Sequence, residues 1–153
     1  MPRLLTKFFG ERDYSPEAVF HFEAGIPGFE DQTAFLFLEQ PHAHPLVFMQ
    51  SLTDSSLCFI AIPVSAAEPN YRLSLSSEDR QSLGLSSSQE PQMGVEVLCL
   101  TLVSAVGNAQ PTVNLVSPVV MNLQNRRGLQ AIQDDSPYSW RHLLVAREGI
   151  SPC

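Results

Sequence analysis

Apolar residues recur along this chain in short runs with a period of two. Val19-Phe20-His21-Phe22-Glu23 puts Phe20 and Phe22 on one face of an extended segment and His21 on the other. Thr33 to Glu39 puts Phe35 and Phe37 on one face, Leu36 and Leu38 on the other. Leu46–Leu52, Leu57–Val64 and Glu96–Val103 are short, apolar and rich in β-branched or aromatic residues, and Val113–Asn122 and Gly128–Gln133 read the same way less cleanly. Turn residues separate these runs, most clearly Gly25-Ile26-Pro27-Gly28, then Thr53-Asp54-Ser55-Ser56, Gly107-Asn108 and Asp134-Asp135-Ser136-Pro137. The spacing predicts an all-β, mostly antiparallel domain, a barrel or a sandwich. One short helix is expected, capped by Ser76 with Asp79 three residues on and stopped at Leu83-Gly84. Twelve prolines argue against a helical bundle. Ser86-Ser87-Ser88-Gln89 reads as a mobile loop.

Composition narrows this picture. The 153 residues amount to about one domain, expected over residues 1–146, with 147–153 a C-terminal tail and a candidate for disorder. At 44% hydrophobic and 16% charged, the chain can fill one core and is not of disordered composition. A net charge of −7 repels phosphates and disfavours direct nucleic-acid binding. The basic doublet Arg126-Arg127 is too small to offset it. No run of ~20 apolar residues predicts a membrane span, and no signal-length apolar core follows Met1. Cys58, Cys99 and Cys153 fit neither a disulfide framework nor a zinc pair, so a reducing, cytoplasmic compartment is expected.

Catalytic motifs are sparse. There is no nucleophile elbow, phosphate loop or zinc helix. His42 and His44 would point to one side if extended, which a small metal-dependent barrel enzyme could use, but no third ligand is near in sequence and an exposed loop is the preferred reading. His21 reads as a surface histidine, and Cys58 and Cys99 as buried inert thiols. Cys153 reads as exposed. The acidic pairs Glu30-Asp31, Glu78-Asp79 and Asp134-Asp135 read as solvated turns or helix starts. No cofactor or metal site is expected, and the residues describe a binding domain more than a catalyst.

A family resemblance adds to this. Phe22-Glu23-Ala24-Gly25-Ile26-Pro27-Gly28-Phe29-Glu30-Asp31 resembles the F-x-x-G-I-P-G-F-E signature of the flagellar assembly factor FliW family. Met49-Gln50-Ser51-Leu52 and Phe59-Ile60-Ala61-Ile62 are similar to its L-Q-S and F-I-V strands. Thr112 to Asn122 resembles T-x-N-L-x-x-P-I-V-I-N, and Gly128-Leu129-Gln130-Ala131-Ile132 and Tyr138-Ser139-Trp140-Arg141-His142 resemble its closing segments. The stretch Ile60–Tyr71 and the Ser-rich middle loop depart from the pattern. The resemblance implies a β-barrel-like, non-enzymatic chaperone and translation regulator in the cytoplasm. It implies two protein partners, flagellin and the translational repressor CsrA, with CsrA antagonised away from its RNA site and flagellin translation thereby relieved.

Candidate contact residues follow from this. Phe29, Glu30 and Asp31 form an aromatic-acidic corner, in which Phe29 is expected to pack into the core. Glu78 and Asp79 could stabilise the helix start or meet basic CsrA. Tyr138, Trp140, Arg141 and His142 have a hot-spot composition, although Tyr138 could instead lock the last strand. Gly25, Pro27 and Gly28 are expected to serve turn geometry, and Asn114 and Asn122 to tie turns or bulges by hydrogen bonds.

Overall fold

The computed structural model describes residues 2–86, 89–133 and 136–144. The expected tail at 147–153, Cys153, the Asp134-Asp135 pair and the centre of the Ser86–Gln89 loop lie outside the described residues. Among the described residues, eleven strands and two short α-helices run in the order β1 (Arg3–Thr6), β2 (Gly10–Asp13), β3 (Phe20–His21), β4 (Ala34–Glu39), β5 (Val47–Ser51), β6 (Cys58–Pro63), α1 (Val64–Ala67), α2 (Ser77–Leu83), β7 (Val97–Ser104), β8 (Thr112–Val113), β9 (Val119–Asn122), β10 (Gly128–Gln130) and β11 (His142–Leu143). Strands β10-β9-β7-β6-β5-β4-β3 form one antiparallel path, with β8 on β7 and β11 on β8; β1 and β2 form a separate hairpin. An isolated parallel bridge, His21 to Arg127, brings β3 back to the β9–β10 turn. The sheet is therefore curled and barrel-like without a ladder that closes it.

Alternation along the strands sorts side chains into two cores. On β7, Val97 and Cys99 face one core, which holds Ile62, Leu83, Leu115 and Val120. Leu98 and Leu100 face the other, which holds Phe22, Phe35, Met49 and Met121. Because both faces of β7 and β9 are covered, their sequences are mostly apolar on both faces instead of alternating with polar residues. The same holds for β4: Phe35 and Phe37 point into the barrel, and Leu36 packs against Leu4 and Val19 under the N-terminal hairpin. At Gly128 a Cβ would come within 2.6 Å of the Phe22 ring, so this glycine lets a buried aromatic lie directly on backbone.

The one expected helix forms as read. Ser76 Oγ accepts from the Asp79 amide at 3.1 Å, and Gly84 ends the helix in the left-handed region at φ 74°. Two strand expectations need correction, and one element was missed. The Leu57–Val64 strand stops at Pro63, and a single α-turn over Val64–Ala67 follows. Val113–Asn122 is not one strand, because Asn114 Oδ1 accepts the Val116 and Ser117 amides at 3.1 and 3.2 Å, folding 114–118 into a turn between β8 and β9. His42 and His44 lie exposed around the 3-10 turn Pro41–Ala43, in keeping with the preferred loop reading. The hairpin β1–β2 was not predicted at all. Its β2 sequence, Gly-Glu-Arg-Asp, is exposed throughout and carries no apolar period.

Candidate functional site

The Gly25–Asp31 corner is built by backbone geometry. Gly25 has φ +68°, and a Cβ there would meet the Glu30 Cα at 2.6 Å, so only glycine fits. Next, the Phe29 amide donates to Ile26 O at 2.6 Å. With Pro27 second, and Gly28 third at φ +88°, this has the form of a type II turn. The turn lifts Phe29 out of the core. It is 39% exposed, which corrects the expectation that it is buried.

Phe29 is nonetheless anchored. Its ring meets Phe59 edge-on at 5.2 Å, Phe59 meets Phe35 at 6.2 Å, and Phe35 meets Phe22 edge-on at 5.4 Å. A file of rings thus runs from the surface to the core, holding a half-exposed aromatic in a fixed place. Glu30 and Asp31 beside it are exposed, and among the described residues neither enters an ion pair. Behind the corner, Gln32 Oε1 accepts from the Ser51 and Thr53 hydroxyls. Ser51 Oγ in turn accepts the Thr53 and Asp54 amides at 3.1 Å each, shaping the β5–β6 turn. Asp54 closes that turn by accepting from Ser56, which holds its carboxyl below the usual range. Phe59 and Gln32 were not singled out from sequence. The alternation in Phe59-Ile60-Ala61-Ile62 was the signal that put Phe59 on the inner face.

The other candidates lie apart. Among the described residues no hydrogen bond, ion pair or ring contact joins them to the corner. Asp79 is engaged by the Ser76 cap, and partial burial, first among its causes, raises its pKa; Glu78 is exposed. Tyr138 locks the extended segment before α2, not the last strand: its ring stacks on Tyr71 at 4.5 Å and its hydroxyl accepts the Arg72 amide at 2.8 Å. Gln133 completes this lock, donating to the Tyr71 hydroxyl and accepting the Ser74 amide, each at 2.6 Å. Trp140 is exposed, with the Arg141 guanidinium over its ring at 5.1 Å, and His142 begins β11. Asn122 ties the β9–β10 turn, its Oδ1 accepting the Gln124 amide at 2.9 Å, and its Nδ2 donates to Leu83 O at the end of α2 at 2.8 Å, where Asn125 also donates at 2.9 Å.

Reactive groups do not converge. Burial pushes the Cys58 thiol up to about 11 and that of Cys99 to about 12, far from a nucleophile's range. Among the described residues no three His, Cys, Asp or Glu side chains are placed to share a metal ion. An open hollow of about 370 Å³ between the end of α2 and β9 is lined by Leu85, Pro91, Val95 and one carboxylate, Glu96. No helix among the described residues is long and apolar enough to cross a membrane.

The model of the FliW protein family matches residues 3–144, nearly the whole chain. The chain belongs to the FliW family. Among FliW relatives, the flagellar assembly factor FliW of Desulfitobacterium hafniense is 37% identical over 143 residues, covering 94% of this chain and 91% of its own. The Bacillus subtilis flagellar assembly factor FliW is 31% identical over 137 residues, covering 90% and 92%. A crystal structure of the flagellar assembly factor FliW superposes with a TM-score of 0.81 at 26% identity, over 96% of this chain and 99% of that one. The barrel-like, mostly antiparallel fold is thus the FliW fold, and the corner is the segment that carries the FliW signature.

Proposed function

We propose that this chain acts as a non-enzymatic flagellar assembly factor in the cytoplasm, binding flagellin and the repressor CsrA in turn. By capturing CsrA it relieves repression of flagellin translation. Family membership supports the setting, and the observation that carries the binding role is the corner itself. A fixed, 39% exposed Phe29 flanked by two unpaired carboxylates is a ready contact for a basic, apolar partner surface. An RNA-binding repressor presents such basic surface. The net charge of −7 placed beside RNA would also lower the potential along its path, over a range near the ~8 Å Debye length at physiological salt.

The test is a titration of a CsrA–RNA complex with this protein, with and without flagellin. Release of RNA that flagellin suppresses is the expected outcome. Binding to neither protein at micromolar concentration ends the reading. Glu30→Lys/Asp31→Lys is expected to weaken CsrA capture by about tenfold or more, as for charges central to an interface.

A further inference from the structure

A second exposed apolar surface, of opposite charge, lies on the other face of the same strands. Leu38 pairs Phe48 across β4 and β5, and Phe48 pairs Ile60 across β5 and β6, so the three form a row across the outer face. The adjacent row, where Leu36 pairs Gln50, is covered by the hairpin through Leu4. That cover ends at Phe9, whose ring meets Phe48 edge-on at 5.1 Å. Beyond it Ile60 is 41% exposed, and Phe8 at the hairpin tip is 58% exposed.

The charges beside this row are cationic. Arg3 engages both hairpin acids, Glu11 at 3.6 Å and Asp13 at 3.3 Å. Lys7 and Arg12 are left with aromatic partners only, over Phe8 at 5.5 Å and Phe9 at 5.9 Å, and neither forms an ion pair among the described residues. The tip sits against the β5–β6 turn through the Lys7 amide and Ser55 O at 2.9 Å. That same turn carries the acidic corner on its other side, through Gln32. The protein thus offers two apolar surfaces of opposite sign flanking one turn.

We propose that the Leu38–Phe48–Ile60 row seats an amphipathic segment whose apolar face is flanked by carboxylates, which meet Lys7 and Arg12. Like charge excludes a basic surface from this row and an acidic one from the corner. Of the two proposed partners, the row therefore takes the flagellin segment, laid as a helix on the sheet face, and the corner takes CsrA. This rests on the partner reading above.

The experiment measures calorimetric affinities of the full chain for purified monomeric flagellin and, separately, for CsrA. Ile60→Glu and the double variant Lys7→Glu/Arg12→Glu are each expected to weaken flagellin by about tenfold or more and to leave CsrA within about twofold. Circular dichroism melts check folding, and the charge-reversal pair, which touches no core residue, decides the matter if Ile60→Glu does not fold. Flagellin binding unchanged within about twofold in both variants overturns the assignment and leaves the partner reading standing. Equal weakening of both partners also overturns it. An unmutated chain that binds no flagellin defeats the partner reading, and the assignment with it.

Discussion

The two ends of the sheet are covered differently. Around β7, β9 and β10 both faces are packed: Val97, Cys99 and Val120 meet one core, Leu100, Val119 and Met121 the other. Around β4, β5 and β6 the inner face is packed as tightly, yet the outer face is roofed by the hairpin as far as Phe9 and by the first core at Ile62, and is left open between them at Ile60. Burying an aromatic or aliphatic side chain is worth about 1.5–3 kcal/mol. The first sector commits its apolar residues to stability, and the second leaves part of them uncovered. The difference is one of cover, not of composition, since Phe48 and Ile60 are as apolar as anything on β7.

The largest effect should separate the two at once. Phe22 is fully buried against Phe35 and Gly128. Phe22→Ala is expected to cost about 3–5 kcal/mol, whereas Ile60→Ser should stay within about 0.5 kcal/mol, as exposed positions do. Urea denaturation of the two variants reads this directly. Comparable losses would mean that the open row is structural, and the comparison collapses.

Gly25→Ala tests how the corner is tied to the packed interior. The new Cβ would need to displace Glu30 backbone from 2.6 Å, at a positive φ. A loss of about 1–3 kcal/mol is expected from the overlap alone, together with weaker CsrA binding as Phe29 shifts. Stability lost with binding intact would show that the corner does not present Phe29 to a partner.

How much of this was legible in sequence follows the same division. Where a strand's neighbours are apolar and its caps are chemical, the residues announce it: Ser76, Asp79 and Gly84 framed α2, and Phe35 with Phe37 fixed the inner face of β4. The turn at Gly25 was readable because glycine and proline encode φ. The hairpin was not, because its ladder is held by backbone bonds and by Arg3 with Glu11 and Asp13, leaving no apolar period in β2. Its cover over Leu36, and hence the edge of the open row at Phe48, was invisible with it. Phe29 was misplaced for a related reason. Burial of an aromatic depends on which ring stands next to it, and Phe59 lies thirty positions away in the chain.

Asn122→Ala probes the packed sector at a smaller scale. Its amide shares the Leu83 carbonyl with Asn125, so the end of α2 keeps one donor when it is lost. About 1–2 kcal/mol is expected, the lower part of the range for a broken buried hydrogen bond. The double variant with Asn125→Ala should exceed the sum of the singles, because only then is the carbonyl left bare. Additive losses would show that the two amides do not substitute for one another.

The smallest effect separates the sectors through their thiols. Burial raises Cys99 in the packed sector from 9.0 to about 12, and Cys58, half-buried on β6, from 9.0 to about 11. A raised thiol stays protonated in the folded chain while the unfolded one ionises. As pH climbs past 9 the unfolded state therefore binds fewer protons, and stability falls with pH. Between pH ~9 and ~10 one fully protected thiol accounts for a decline of about 1 kcal/mol. Tyr71, also raised by burial, joins only as pH passes its ordinary 10.0, so this window belongs to the cysteines. Urea midpoints across it should decline less steeply in Cys99→Ala by nearly that amount, and by a smaller part in Cys58→Ala, whose half-exposed thiol is screened by solvent. No flattening in Cys99→Ala would mean that its thiol ionises as freely folded as unfolded, and the packed sector would then be open to solvent there.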